Sequence, residues 1–418
     1  MNEVKNNIGF LKPILNLTLR GFTMACKFLL VIVLAKILSP AQVGLFGLFS
    51  ATLLYSQLLI GGEFYAYSQR ELISAEKKKY SFVLQHQIIS LFFLYIFFIP
   101  ILFGIFIFDL LPIYIIKWFF FILVAESIAQ ELNRILIALE YQLSASIILF
   151  LRQGLWVLII VPVMLFNPKF QLLEYVFLSW LFGSIFALIF GFFLLSRIIM
   201  HWQFWPINFS WIIAGLKVSF LFFVGALCFR GLMTIDRYAV ESLMGIDFLG
   251  AYIVYIGIAM SLVTVLDPLI FSFLYPKLVS SVSRGNFMGF KQTMGTLLKY
   301  TIMVSSLGLV LLLLISPYIF SWLNVAIYSE NIKVFWILLL TSFAYGMSMV
   351  PHFGLYALKK DRALMQIHLF SFIIFLLCLL ILPSMVNLSQ VAGTSLLIGF
   401  VMMGLLKTFF LIKYIKKS

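Results

Sequence analysis

Charge is what this sequence has least of. Only 11% of its 418 residues are Asp, Glu, Lys or Arg, against about a quarter in a soluble domain. That scarcity excludes an ordinary soluble globular chain. Cysteine is nearly absent as well. Cys26, Cys228 and Cys378 all fall inside apolar runs, show no recognisable pairing, and read as small core residues. The four histidines are scattered, so no metal-ligand spacing exists and neither a metal nor a cofactor is expected. No Walker-type phosphate loop is present, which argues against a built-in ATPase. The first apolar run is too long for a cleavable signal peptide and lacks a small-residue cleavage site. The net charge of +14 raises the question of nucleic acid, but no soluble module is long enough to carry such a site.

What fills the chain is apolar sequence. It is 63% hydrophobic, its mean hydropathy is +1.12, and the apolar runs extend from end to end. This composition predicts an all-α polytopic membrane protein, since each crossing needs about 20 apolar residues. Twelve runs fit, at roughly 11–38, 43–66, 82–108, 113–138, 144–166, 174–199, 211–240, 248–275, 293–316, 332–357, 364–386 and 390–412. Short connectors carry the breakers Ser39-Pro40, Asp109 to Pro112, Asn167-Pro168 and Pro383.

Lys and Arg set the orientation. One set of connectors holds Lys77, Lys78, Lys79, Arg197, Lys277, Arg284, Lys291, Lys359, Lys360 and Arg362, and the termini add Lys5, Lys12, Lys413, Lys416 and Lys417. The opposite set holds little beyond Lys36, Lys117, Lys169 and Lys333. Both termini are therefore expected on the cytoplasmic side. The largest outer connector, about 317–331, has one Glu and no His, so catalysis is not expected there.

A weak internal repeat appears at an offset of 206 residues. "AKILSPAQVGLFGLF" (35–49) falls on "ESLMGIDFLGAYIVY" (241–255), with Leu38 on Met244, Gly44 on Gly250, Phe46 on Tyr252 and Phe49 on Tyr255. The shared pattern is a helix end, a tight turn, then Gly and an aromatic opening the next span. It pairs spans 1 and 2 with spans 7 and 8, so the halves 1–204 and 205–418 have the same orientation. Two parallel six-helix lobes around a central cavity are a transporter arrangement.

With "LAKILSPAQVGLFGLFSA" near the start and "DRYAVESLMGIDFLGAYIVY" opening the second half, the chain resembles the polysaccharide-type (Wzx) flippases. These belong to the multidrug/oligosaccharidyl-lipid/polysaccharide (MOP) exporter superfamily. The resemblance covers the whole chain in topology and about forty residues in motif. It implies a V-shaped, MATE-like fold of two pseudo-symmetric lobes. It implies as cargo an undecaprenyl-diphosphate-linked oligosaccharide, such as an O-antigen unit, moved from the inner to the outer leaflet. Membrane lipids, and the polymerase and chain-length regulator of the same pathway, are the partners it implies. The extra spans of peptidoglycan-precursor flippases are missing. Two alternatives remain: a cation-coupled multidrug exporter, which an acidic cavity would favour, and a membrane-embedded polymerase, which an outer acid–base constellation would favour.

Ionisable groups within spans cost roughly 2.5–3.5 kcal/mol each on insertion scales and usually face a bundle interior or wet space. Arg20 and Lys27 in span 1 are seven apart and share a helix face, as do Arg230 and Arg237 in span 7. Superposed by the repeat offset, they alternate in the order Arg20, Arg230, Lys27, Arg237, with successive levels about 5 Å apart. That is a ladder of cations suited to a lipid diphosphate, because a guanidinium grips two phosphate oxygens. Alternatively Arg20 snorkels and Arg237 anchors at the interface, paired with Asp236. Arg152 in span 5 either lines the cavity or snorkels. Glu63 and Asp267, on spans 2 and 8, either pair with Arg20 or Lys217 or carry a coupling proton. Glu126, Glu131 and Arg134 read as structural, with Glu131 and Arg134 close enough to pair. Lys217, Lys299 and Lys407 are expected to reach the headgroups. Asp236 is expected to hold its own neighbourhood together. Gly61-Gly62 is expected to allow close helix packing, and Pro268 to bend span 8.

Overall fold

A computed structural model describes residues 2–199 and 202–416, with side chains from residue 15 onward. Lys417, and the side chains of Lys5 and Lys12, lie outside the described residues. Among the described residues there is no strand. Twelve helical segments are long and apolar enough to cross a membrane. They are α1 (Asn2–Ile37), α2 (Pro40–Gly61), α3 (Lys77–Ile107), α4 (Ile113–Ala138), α5 (Gln142–Phe166) and α6 (Leu173–Ile198). After the connector 199–208 come α7 (Phe209–Met244), α8 (Ile246–Ser283), α9 (Phe287–Leu323), α10 (Ile332–Ala357), α11 (Asp361–Ser384) and α12 (Leu388–Ile415). The twelve-span reading of the sequence stands, and this is an all-α, multi-pass membrane protein.

The surface follows the solvent it is built for. Phe92, Phe186, Phe192 and Ile189 are all more than half exposed, as suits helices facing hydrocarbon rather than water. Inside, small and branched side chains interlock. Ala129, Leu132 and Leu136 of α4 close on Ala145 and Ile148 of α5 and Ala187 of α6.

By contacts the chain forms two compact units: residues 1–33 with 52–223, and residues 34–51 with 224–418. The sequence boundary at 204/205 falls in the extended connector before α7, and this division falls inside α7. The stretch 34–51, the corner between α1 and α2, packs with the second unit. The 206-residue repeat supplies the reason. A Cβ on Gly44 would strike the carbonyl oxygen of Ile246 and the amide nitrogen of Gly250, and a Cβ on Gly250 would strike the carbonyl oxygen of Pro40. Under the offset, Pro40 corresponds to Ile246 and Gly44 to Gly250. The two contacts are thus one contact, made reciprocally. Gly47 meets Ile253, its own counterpart. The corner of the first half and the corner of the second clasp each other about a local two-fold axis.

Each corner begins its helix differently. Ser39 and Gln42 form a capping box ahead of Pro40: the Ser39 amide donates to Gln42 Oε1 and the Gln42 amide to Ser39 Oγ, both at 3.3 Å. At the equivalent position Gly245 turns the chain with φ 84°, a conformation that suits glycine. Asp247 then lies in the first turn of α8, where a negative charge meets the helix dipole favourably.

One expectation is corrected, the place of Glu63. Nothing lies within 4 Å of a Cβ on Gly61, but a Cβ on Gly62 would meet the Leu94 side chain of α3 at 2.8 Å, so the close packing expected of the pair is made at Gly62. The pair also ends α2. Gly62 and Glu63 adopt φ of 53° and 52°, which places Glu63 in the turn after α2 rather than within span 2. Pro268 interrupts α8 as part of a π-helical turn, Asp267–Phe271, and the Ser272 hydroxyl donates to the Pro268 carbonyl at 3.2 Å. Proline removes a helical donor, and the wider turn absorbs the mismatch.

Candidate functional site

In the N-terminal unit, α1 carries Arg20 and Lys27. Arg20 Nε donates to Ser146 Oγ of α5 at 3.0 Å, and Ser146 in turn bonds Asn16. Arg20 is thereby held half-buried by neutral partners. Lys27 is exposed and stands at the middle of the 23-residue apolar stretch Leu15–Ile37. An ionisable group at that depth usually faces a bundle interior or a water-filled cavity.

Deeper in the same unit lies a closed network. Arg152 is 6% exposed and Glu126 2%, with Arg152 Nε 3.2 Å from Glu126 Oε1. Ser184 of α6 donates to the other carboxylate oxygen at 2.8 Å. Arg152 sits in a π-helical turn, Leu151–Leu155, and is buried against Glu126, with its head in neither headgroup nor open space. A second knot joins Glu131 to Arg134 at 2.6 Å, with Gln87 donating to Glu131 at 2.8 Å and the Arg134 guanidinium 3.6 Å from the Tyr65 ring centroid. Gln87 and Glu131 form the polar wall of a cavity of about 380 Å³ between α3, α4 and α6, otherwise lined by apolar residues such as Ile88, Phe92, Ile128 and Phe192.

Sequence reading missed the anchoring of the connector before α7. His86 Nδ1 lies 2.8 Å from the Phe82 carbonyl, so it donates there, and Nε2 accepts from the Asn208 amide at 2.8 Å. Gln85 bonds both the Trp205 amide (2.9 Å) and the Trp205 carbonyl (2.7 Å). An extended backbone needs partners for its amides and carbonyls, and α3 supplies them. A polar Gln-His pair inside an apolar run was the only available signal.

In the C-terminal unit, α7 carries Arg230, exposed and near the middle of Phe209–Met244. One level on, Arg237 Nη1 is 3.4 Å from Asp236. Asp236 is fully buried and accepts from the Tyr252 hydroxyl at 2.9 Å, which ties α7 to α8. Asp267 is exposed, in the π-helical turn of α8.

Lys407 corrects the sequence reading. It does not reach the headgroups: it is 1% exposed, enclosed where α12 packs on α10 and α11. Its neighbours on those helices, not its distance from the chain end, decide its environment. Lys217 and Lys299 are exposed. Among the described residues no group of three His, Cys, Asp or Glu is placed to hold a metal ion.

No protein-family profile matches the chain, and no curated protein matches it by sequence. The fold is known. An inward-facing multidrug-resistance MATE family transporter of the MOP superfamily matches with a TM-score of 0.76 at 13% identity, over 97% of this chain and 98% of that one. The outward-facing form of a MATE family transporter of the same superfamily matches with a TM-score of 0.64 at 13% identity, over 97% and 96%. A MOP superfamily transporter from Pyrococcus furiosus, described as having a binding pocket of reverse polarity that suggests a different function, matches at 0.64 and 14% identity, over 97% and 95%. At such identities the likeness is one of architecture: this chain has the MATE-like fold of the MOP superfamily transporters.

Proposed function

We propose that this protein is a flippase that carries an anionic, polyprenyl-diphosphate-linked oligosaccharide across the bacterial inner membrane by alternating access, without making or breaking bonds. The observation that carries this reading is the pair of exposed mid-span cations, Lys27 on α1 and Arg230 on α7. A fixed cation at mid-depth lowers the cost of drawing a diphosphate out of water, while the prenyl tail stays in lipid. Arg20 and Arg237 are already held by Ser146 and Asp236. Arg152 belongs to the scaffold.

A multidrug exporter is the second reading, favoured by the names of two of the similar structures and by the exposed carboxyl of Asp267. The reverse-polarity description of the Pyrococcus protein is a precedent for this fold serving cargo of another charge. The test is complementation. In cells lacking their repeat-unit flippase, the wild-type protein restores surface polysaccharide, while Lys27→Ala and Arg230→Ala reach the membrane and do not. Normal surface polymer in both variants, or drug resistance without polymer, contradicts the flippase reading.

A further inference from the structure

Three basic groups meet in the C-terminal unit, Lys407 buried and the two histidines half-buried. His352 of α10 and His368 of α11 lie with their rings parallel, 4° apart in plane and 5.9 Å between centroids. Lys407 of α12 is within electrostatic reach of both. The His368 Nδ1 is 3.2 Å from the Gly225 carbonyl of α7. It donates there, so its Nε2 carries the lone pair. That Nε2 is buried and without a hydrogen-bond partner, and so is the Nδ1 of His352. Aromatic rings close the space: Phe229 stands 5.4 Å from His368, and Tyr356 stacks on His352 at 6.4 Å.

Among the described residues no carboxylate forms an ion pair with these bases. Among the described residues Lys407 makes no ion pair, and burial alone dominates its surroundings. The other titratable groups facing the cluster are Tyr345 and Tyr356 of α10. Arg230 and Asp267 act on Tyr345, and Asp361 on Tyr275, rather than on the cluster itself. A buried ammonium needs a counter-charge or gives up its proton. With no such partner among the described residues, each proton taken by one of the three bases repels the next.

We propose that His352, His368 and Lys407 form a buried proton site in the C-terminal unit that holds a single exchangeable proton. The proton arrives from water, forms one N–H bond on one of the three nitrogens, and leaves to water; nothing else is made or broken. The Phe229 ring lies between His368 at 5.4 Å and Tyr345 at 5.6 Å, and Tyr345 is the group on which Arg230 and Asp267 act. Use of this site to couple transport to proton movement rests on the transporter reading. Proton binding itself does not.

The chain has four histidines, His86, His201, His352 and His368, so nitrogen-15 histidine labelling of the full-length protein in lipid nanodiscs gives a spectrum simple enough to assign with single His→Gln variants. The probe is pH alone, from 9 to 5. In the wild type, the His352 and His368 signals should move together in one transition. In Lys407→Met the imidazolium fraction of the pair at pH 6 should rise about tenfold, equivalent to about 1.4 kcal/mol of relieved repulsion. If that variant does not fold, Lys407→Gln replaces it, and the wild-type transition still reports. Independent titration of the two histidines, no transition at all, or identical curves with and without Lys407 overturns the site. A shared transition combined with transport indifferent to an imposed pH gradient leaves the proton site standing and removes only its coupling role.

Discussion

Glu126 and Lys407 are buried to nearly the same degree, 2% and 1% exposed, yet the two units treat them in opposite ways. Glu126 has Arg152 at 3.2 Å and the Ser184 hydroxyl at 2.8 Å, so its charge is neutralised and one of its oxygens accepts a hydrogen bond. Lys407 has two imidazoles and, among the described residues, no carboxylate partner. The first arrangement fixes one protonation state and one packing. The second leaves a proton with alternatives. Rigid scaffold and exchangeable site are thus distinguishable by what faces the charge, not by burial.

The largest stability effect should come from opening the neutralised network. Arg152→Ala leaves Glu126 buried and unpaired, and should cost about 3–5 kcal/mol. The double variant Glu126→Gln with Arg152→Met should recover most of it. Thermal unfolding of the detergent-solubilised protein reads both. A somewhat smaller loss, about 3 kcal/mol, is expected for Gly250→Leu, whose side chain must displace the Pro40 carbonyl. The same measurement checks it, and Gly44→Leu should match it because the contacts are reciprocal. Lys407→Met should lie within about 1 kcal/mol of wild type or stabilise, since it removes a buried charge and strands no partner. A loss as large as that of Arg152→Ala would mean that Lys407 has a counter-charge. Smallest of all, Lys27→Ala and Arg230→Ala should stay within about 0.5 kcal/mol, as exposed substitutions do, while abolishing transport.

The spans were readable because apolar length is a strong signal: α4 and α10 begin and end where the runs 113–138 and 332–357 do. The repeat was readable at Gly44 and Gly250, although the sequence could not say that the two corners touch. Glycine pairs were the weak point. Gly62 and Gly44 both meet a neighbour closely, and only the backbone dihedral at Gly62 shows that it is a helix stop as well. Charges were seen but not sorted. Glu126 and Arg152 are 26 residues apart and on different helices, so no periodicity links them. Lys407 lies so near the end of α12 that depth alone suggested an interface. His352 and His368 drew no notice because each is a lone histidine on an apolar helix until α10 and α11 bring the rings together.

The role of the exposed cations is tested most directly in proteoliposomes, by following a fluorescent polyprenyl-diphosphate oligosaccharide from one leaflet to the other. Wild type should move it, and Lys27→Ala and Arg230→Ala should each lose that movement with unfolding transitions unchanged. Wild-type rates in both variants would contradict the assignment of Lys27 and Arg230 to the anionic cargo.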